Sequence, residues 1–361
     1  MEKFKQFNKW LSESTISKSA YNNIIGNNIN FESRKRYKNE KKISITISTY
    51  NRAKKLVRLL DSIVRQKYSN YEIIIIDDKS TDNTKELVKE FKEKNQEVSI
   101  FYYTNEKNSG VSFSKRKGYM MCSGDVIIFS DDDDYYIDDY YFAKLENIYK
   151  YNQECTMTIA STISHKESDD SYSITKINFN KPVENDVFLR NFISKYKKPD
   201  SMFTLSLNSK KMKEIDYEDL KCFNDMSLYL YASLAKGKIY PITEAVGVYS
   251  VQENRMSSGI SAKFAINNLE AKIDIGKKAI KEHYIEYKNI DVWIYNQTIP
   301  TLMLFFNGRI KNVEDFIEVN NWIFNNLAYP YKYKAIAKGV KARILFFIRK
   351  IKQTTKNDVA V

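Results

Sequence analysis

Between Ile43 and Phe129 the chain alternates between strand-type and helix-type apolar patterns, and no other feature constrains its fold as tightly. Ile43-Ser44-Ile45-Thr46-Ile47 alternates and is β-branched, which predicts a strand. Leu56, Leu59, Leu60, Ile63 and Val64 follow at helical spacing. Glu72 to Ile76 is then a continuous aliphatic run, as expected of a strand covered on both faces. A second helix carries Leu87, Val88 and Phe91 on one stripe, with Thr81 or Asp82 as its N-cap. Val98 to Tyr102 predicts a third strand, Ser112 to Met121 a third helix, and Asp125 to Phe129 a fourth strand. Repeated crossovers of this kind build a mostly parallel sheet with helices on both faces. Ligands of such sheets sit beyond the carboxyl ends of the strands.

The rest of the chain reads differently. Residues 1–42 are polar, Asn-rich and Lys-rich, and predict an N-terminal helical extension and linker. Residues 151–260 hold a hairpin (Thr156 to Ser164 and Ser171 to Phe179, around Lys166 to Asp170), a strand at Phe203 to Leu207 and a helix after Asp225. Residues 261–361 read as helical. With 361 residues, 43% of them hydrophobic, the chain can bury a substantial core. A net charge of +13 favours polyanionic partners: nucleic acid, anionic lipid or phosphorylated ligands.

Cys122, Cys155 and Cys222 are odd in number and far apart, so no disulfide framework is expected and a reducing, cytoplasmic setting fits. With His165 and His283 distant from each other, a His/Cys zinc site is not expected either. A metal would have to be held by carboxylates, which suits Mg²⁺ or Mn²⁺. Met1 to Leu11 has no apolar signal core, and Ile299 to Phe306 and Ile344 to Ile348 are too short to span a bilayer. The expectation is a soluble or membrane-peripheral protein.

The residues just after the strands are distinctive. The first strand ends in Ser48-Thr49-Tyr50-Asn51-Arg52, the second in Asp77-Asp78-Lys79-Ser80-Thr81-Asp82, and the fourth in Ser130-Asp131-Asp132-Asp133-Asp134. An aromatic ring can stack on a base, and a carboxylate can accept from a base N–H or a ribose hydroxyl. Four clustered aspartates need a counter-charge to stay ionised, which a divalent cation would provide. Each cluster alone has an ordinary explanation: a turn, a helix cap, a solvated loop. Three at consecutive strand ends are poorly explained by coincidence.

With these motifs in view, Ile43 to Leu145 resembles glycosyltransferase family 2, the inverting enzymes of the GT-A fold, of bacterial surface-polysaccharide type. Ser-Thr-Tyr-Asn-Arg resembles the opening nucleotide-binding motif. Ile73 to Thr84 resembles the Asp-Asp-Gly-Ser-Thr-Asp signature, with Lys79 where glycine is usual. Asn108-x-Gly110-x-Ser112 resembles the segment before the metal motif, and Ser130 to Asp134 the Asp-x-Asp motif.

The resemblance implies a nucleotide-sugar-binding half (43–150) and an acceptor-binding half (151–260), followed by a helical C-terminal region (261–361). It implies nucleotide-sugar contacts from Thr49, Tyr50, Asn51, Arg52, Asp77, Asp78, Lys115, Asp131 and Asp132. Tyr50 and Asp78 would meet the nucleobase, and Lys115, with Arg116 adjacent, the donor phosphates. Mn²⁺ or Mg²⁺ would be held by Asp133 and Asp134. Asp131 and Asp133 match the two acids of Asp-x-Asp, with a register that can shift by one. Asn224-Asp225-Met226 resembles the family's Glu-Asp segment, which puts Asp225 in the catalytic-base position, with Asp216 and Asp219 as competitors and a helix cap as the plain alternative. Ser250 and Gln252 stand where the family usually carries arginine and histidine.

The implied reaction moves a sugar from a nucleotide-sugar, UDP-linked by the resemblance, to a hydroxyl of a glycan, lipid-linked or protein acceptor. From Tyr331 to Lys352 there is no acidic residue. On a helix, Ile336, Val340, Ile344, Phe347, Ile348 and Ile351 share one face, opposite Lys334, Lys338, Lys341, Arg349 and Lys352. This is the pattern of an interfacial helix on anionic lipid, here the inner face of the cell membrane. The alternatives are packing on its own domain or a homodimer contact. Rival functions are a nucleotidyltransferase, which would need a glycine-rich triphosphate loop where Ser48 to Arg52 has no glycine, and a basic membrane- or nucleic-acid-binding protein. Clustered aspartates argue against nucleic acid at this edge.

Overall fold

The structure is a computed structural model that describes residues 1–26, 41–197, 200–251, 260–308 and 313–358, with side chains through 345. The chain forms two units, Met1–Glu253 and Asn254–Val361.

The first unit begins with two helices, α1 (Glu2–Ser12) and α2 (Lys18–Ile24). The Ser17 hydroxyl starts α2 by accepting from the Ala20 N–H. Phe7, Trp10, Ile16 and Ala20 bury themselves against Ile137, Ile163, Ala245 and Val248. The helical part of the expected extension is therefore an integral layer of this unit. The expected linker lies largely in 27–40, outside the described residues.

The alternating segment folds as its pattern requires: β1 (Ile43–Thr49), α3 (Ala53–Val64), β2 (Tyr71–Asp77), α4 (Thr84–Lys94), β3 (Ser99–Thr104), α5 (Val111–Met121) and β4 (Val126–Asp131). The strands are parallel in the order β3-β2-β1-β4. Ile43, Ile45 and Ile47 pack with Leu56, Leu59, Leu60 and Ile63 on one face. On the other face α5 approaches β1 so closely that a Cβ on Gly118 would lie 1.9 Å from the Thr46 hydroxyl oxygen, and only glycine fits. The Asp82 carboxylate, expected at the N-terminus of α4, accepts from the N–H of Thr84 and also from that of Ala53 at the start of α3.

The chain continues through β5 (Tyr135–Tyr136), α6 (Tyr141–Tyr151), β6 (Cys155–Lys166), β7 (Ser171–Thr175), β8 (Val183–Glu184), α7 (Asn185–Asn191), β9 (Leu205–Asn208), α8 (Ser209–Lys213), α9 (Asp225–Ala232) and β10 (Lys238–Val251). The sheet extends as β4-β9-β6-β10-β5. β9 is antiparallel to both β4 and β6, so the sheet is parallel in its first half and mixed as a whole. The predicted hairpin is β6–β7, closing at Lys166 and Ser171.

The second unit is helical: α10 (Ala262–Lys281), α11 (Ile290–Asn307), α12 (Val313–Asn326) and α13 (Tyr331–Asp358). Leu269, Leu302, Phe306, Val319, Ile323, Ala335 and Ala342 share its core. α13 packs through small residues, Ala335, Gly339 and Ala342, because a Cβ on Gly339 would meet the Phe306 ring at 2.6 Å. Val340 and Ile344 of the expected stripe remain exposed, at 44% and 55%. The side chains of Phe347, Ile348, Arg349, Lys350, Ile351 and Lys352 lie outside the described residues. Among the described residues, no helix is long and apolar enough to cross a membrane.

Candidate active site

The strand register brings the three polar clusters to one edge: Ser48 stands beside Asp131, and Thr49 beside Asp77. Within the aspartate run, alternate residues point in opposite senses. Asp132 and Asp134 are buried, while Asp131 and Asp133 keep 29% and 16% of their side chains exposed. The Thr49 hydroxyl donates to Asp132 at 2.8 Å, and Arg52 reaches Asp132 at 2.9 Å and Asp133 at 3.0 Å. Burial lifts the Asp132 carboxyl to about 6, with Arg52 and Thr49 opposing the rise. Its partners therefore hold it ionised at neutral pH. Asp132, expected against the nucleotide-sugar, accepts from Thr49 and Arg52 and so ties the run to the end of β1.

Asp134 is fully buried. It accepts from the Ser201 hydroxyl, and from the Ser250 N–H at 3.0 Å. Burial, with Asp131 and Asp133 adding like charge, pushes its carboxyl well above the usual range. The expected metal ligand Asp134 is thus turned inward to β10, and the outward pair of the run is Asp131 and Asp133.

The second cluster is a built turn. Asp77 accepts from the Ser80 N–H and hydroxyl at 2.9 and 2.6 Å, and from the Tyr102 hydroxyl at 2.5 Å. Asp78 accepts from the Asn105 amide at 2.8 Å and from the N–H groups of Ser109 and Gly110 at 2.8 and 2.7 Å. Gly110 reaches it with φ 88°, a conformation that glycine permits. Asp77 and Asp78 thus spend most of their accepting capacity on the protein. Asn51, at φ 52°, is held by its own amide oxygen, which accepts from the Thr81 and Asp82 N–H groups. Tyr50 and Lys79 project from this rim into solvent.

Lys115, on the inner face of α5, is nearly fully buried, whereas the adjacent Arg116 is exposed. Its ammonium lies 2.9 Å from Asp131 and 3.6 Å from Asp225. Burial alone would lower its pKa; Asp131 and Asp225 outweigh this and raise it, so Lys115 is a firm cation. Asp225 opens α9, but its cap is Asn224, whose side chain accepts from the Ser227 N–H. The lysine that touches Asp131 reaches Asp225, not Asp216, the N-cap of the short 3-10 turn Tyr217–Asp219, or Asp219, its last residue.

Sequence reasoning missed Arg58. From α3 its guanidinium donates to the Asp133 carbonyl at 2.5 Å and to the Ser250 hydroxyl at 3.0 Å, and lies 4.5 Å from the centre of the Tyr135 ring. A lone arginine within a helix pattern gives no signal of this. Ser201 was missed for the same reason, since its partner Asp134 is distant in sequence.

Among the described residues, no group of three or more His, Cys, Asp or Glu side chains is poised around a metal ion. Magnesium is commonly held by one or two carboxylates together with substrate phosphates. The outward pair Asp131 and Asp133, oxygen donors only, fits an ion shared with a diphosphate and does not form a closed protein cage.

A model of the family described as Glycosyl transferase family 2 matches residues 44–215. The chain is 29% identical over 131 residues to Glycosyltransferase GlyA of Streptococcus pneumoniae, covering 36% of this chain and 18% of that protein. It is 30% identical over 132 residues to Glycosyltransferase GlyG of the same organism, covering 36% and 42%. Over 88 residues it is 40% identical to a dolichyl N-acetyl-alpha-D-glucosaminyl phosphate 3-beta-D-2,3-diacetamido-2,3-dideoxy-beta-D-glucuronosyltransferase of Methanococcus voltae, covering 24% and 27%. The chain thus spans between 18% and 42% of the length of these relatives. Among solved structures, TarS residues 1–349 of S. aureus, in complex with UDP-GlcNAc, superposes with a TM-score of 0.64 at 17% identity, covering 84% of this chain and 89% of that one. That likeness shows the fold.

Proposed function

From the premise that residues 44–215 belong to glycosyltransferase family 2, we propose that the chain is an inverting glycosyltransferase that moves a sugar from a UDP-sugar to an acceptor hydroxyl in surface polysaccharide or glycoconjugate synthesis. The observation that carries this reading is the Lys115 bridge, which places a donor-side acid, Asp131, and an acceptor-side acid, Asp225, on one ammonium. The nucleotide lies across the ends of β1, β2 and β4, with its base near Tyr50 and its diphosphate toward Asp131 and Asp133.

A hydroxyl is a poor nucleophile, and Asp225 takes its proton as it attacks the anomeric carbon. With that base on the face opposite the departing diphosphate, the anomeric configuration inverts. Lys115 sits where negative charge accumulates as the diphosphate leaves. Mn²⁺ or Mg²⁺ held by Asp131 and Asp133, when bound, supplies Lewis-acid stabilisation of that diphosphate. Arg52 and Arg58 fix the loop that presents these two aspartates.

The UDP-GlcNAc bound by the TarS fold relative supports uridine as the base. The Methanococcus voltae relative, named for a dolichyl-linked sugar phosphate, supports a lipid-linked acceptor. Val340, Ile344 and Leu345 lie exposed among Lys334, Lys338 and Lys341, which supports an anionic membrane surface as the place where that acceptor is met.

The test separates binding from chemistry. Asp225→Asn keeps UDP affinity by calorimetry while UDP release from UDP-GlcNAc falls by about 10²–10⁴. Asp133→Asn lowers both, because it removes charge beside the ion. Near wild-type turnover in Asp225→Asn would dismiss it as the base.

A further inference from the structure

Two residues without glycine's freedom adopt left-handed backbone at the rim of this site, Asn51 at φ 52° and Lys79 at φ 70°. The strain at Asn51 has a local reason: its amide oxygen accepts from the N–H groups of Thr81 and Asp82, and its own N–H donates to the Ser80 hydroxyl. Asparagine also tolerates this region better than most residues. Lys79 has neither excuse. A lysine gains nothing from left-handed backbone, and among the described residues its ammonium meets no carboxylate, hydroxyl or ring. The turn itself serves the fold, since it returns the Ser80 N–H and hydroxyl to Asp77, but it needs no lysine, and a strained residue whose side chain the fold leaves unused points to a function.

The position defines that function. Lys79 stands two residues beyond Asp77, the last paired residue of β2, on the same edge as Tyr50 at the end of β1. The aspartate run lies at the end of β4, on the far side of β1. Two strand spacings, roughly 10 Å, separate the ends of β2 and β4. That is about the span from a diphosphate to its base, so a nucleotide whose phosphates face Asp131 and Asp133 brings its base to Tyr50 and Lys79. The carboxylates below, Asp77 and Asp78, are committed to Ser80, Tyr102, Asn105, Ser109 and Gly110. An ammonium only donates, so it selects a base by its carbonyl oxygens.

Building on the donor-site reading above, we infer that Lys79 is a specificity residue that donates to a ring carbonyl oxygen of the nucleobase and favours keto bases, uracil or guanine, over adenine.

The experiment compares wild type, Lys79→Gly and Lys79→Met by calorimetry with UDP, GDP and ADP in the presence of Mn²⁺, alongside thermal melts. Lys79→Gly relieves the backbone, so its melting temperature holds or rises by about 2 °C, while Lys79→Met keeps the strain and removes the charge. In both variants the better bound of UDP and GDP weakens by about tenfold and ADP is unchanged. Equal loss for UDP and ADP would assign the ammonium to phosphate and overturn the inference, as would undiminished UDP and GDP binding. Failure of the wild type to bind any of the three overturns the donor-site reading itself, and this inference with it.

Discussion

Replacing Lys115 with methionine tests the charge logic of the site directly. The substitution keeps an unbranched side chain in the same channel of α5 and removes the ammonium between Asp131 and Asp225. At an effective dielectric of about 20, contacts of 2.9 and 3.6 Å correspond to about 6 and about 5 kcal/mol of attraction. The desolvation of a buried ammonium, several kcal/mol, disappears with it. Both carboxylates also keep roughly a third of their side chains in water, which screens what remains. Removing one partner of a fully buried pair costs about 3–5 kcal/mol; with this screening the expected loss is about 2 kcal/mol. For a unit of this size that is a fall in melting temperature of about 4–8 °C. The variant leaves two carboxylates facing each other without a cation, so Mn²⁺ should stabilise it more than it stabilises wild type. The assay is a thermal melt of both proteins with Mn²⁺ and with chelator. A variant that melts with wild type, or that gains no more than wild type from Mn²⁺, refutes the reasoning.

Three further outcomes follow from the same contacts. Because Asp132 has a carboxyl raised to about 6, Mn²⁺-assisted UDP affinity should fall as pH drops through that value and Arg52 loses its ionised partner; Thr49→Val removes a bond that favours the charged form and should shift the midpoint upward in a calorimetric pH series. The stability linkage has the opposite sense: a raised carboxyl favours the folded state most below its ordinary value of 3.8, and that contribution is lost as pH rises through about 6. Gly118→Ala should cost about 2–4 kcal/mol, read by denaturant unfolding, since the added methyl meets Thr46 at 1.9 Å. Replacing exposed Val340, Ile344 and Leu345 together with asparagine should leave the melting temperature within about 2 °C and reduce sedimentation with anionic vesicles; unchanged sedimentation would remove this face from the membrane reading.

Much of the first unit was legible because local pattern and tertiary demand agree there. The isoleucine run of β2 is buried on both faces, and a continuous aliphatic run has few other uses. The helix-cap alternative for Asp225 was resolved by its neighbour, since Asn224 supplies the cap and leaves the aspartate to meet Lys115. What could not be read depended on partners distant in sequence. β9 lies between β4 and β6 because of pairings that no local pattern encodes. The outward faces of the aspartate run follow from Ser201, Ser250, Thr49 and Arg52, each on a different segment. The contact of α13 with its own unit could not be read from its apolar stripe: the close approach to Phe306 selects Ala335, Gly339 and Ala342 and leaves Val340 and Ile344 outside.

The counter-charge of the aspartate run changes how a divalent ion should be understood here. From sequence, four adjacent acids need a counter-charge to stay ionised, and a divalent cation is one source of it. In the folded protein Arg52 is shared by Asp132 and Asp133, Lys115 is shared by Asp131 and Asp225, and Asp134 is raised toward its neutral form inside the sheet. The run is therefore only partly balanced by the chain itself, with Arg52 and Lys115 set against Asp131, Asp132, Asp133 and Asp225. On the proposed reading, a divalent ion accompanying a diphosphate would meet carboxylates that Arg52 and Lys115 only partly offset, and would compete with those two cations for Asp131 and Asp133. Released from Asp131, the Lys115 ammonium would stay beside Asp225, next to the leaving diphosphate. On this account ion and nucleotide bind with positive coupling, each strengthening the other, and the coupling shrinks when Lys115 is replaced by methionine, because the ion then meets Asp131 with no competitor to displace.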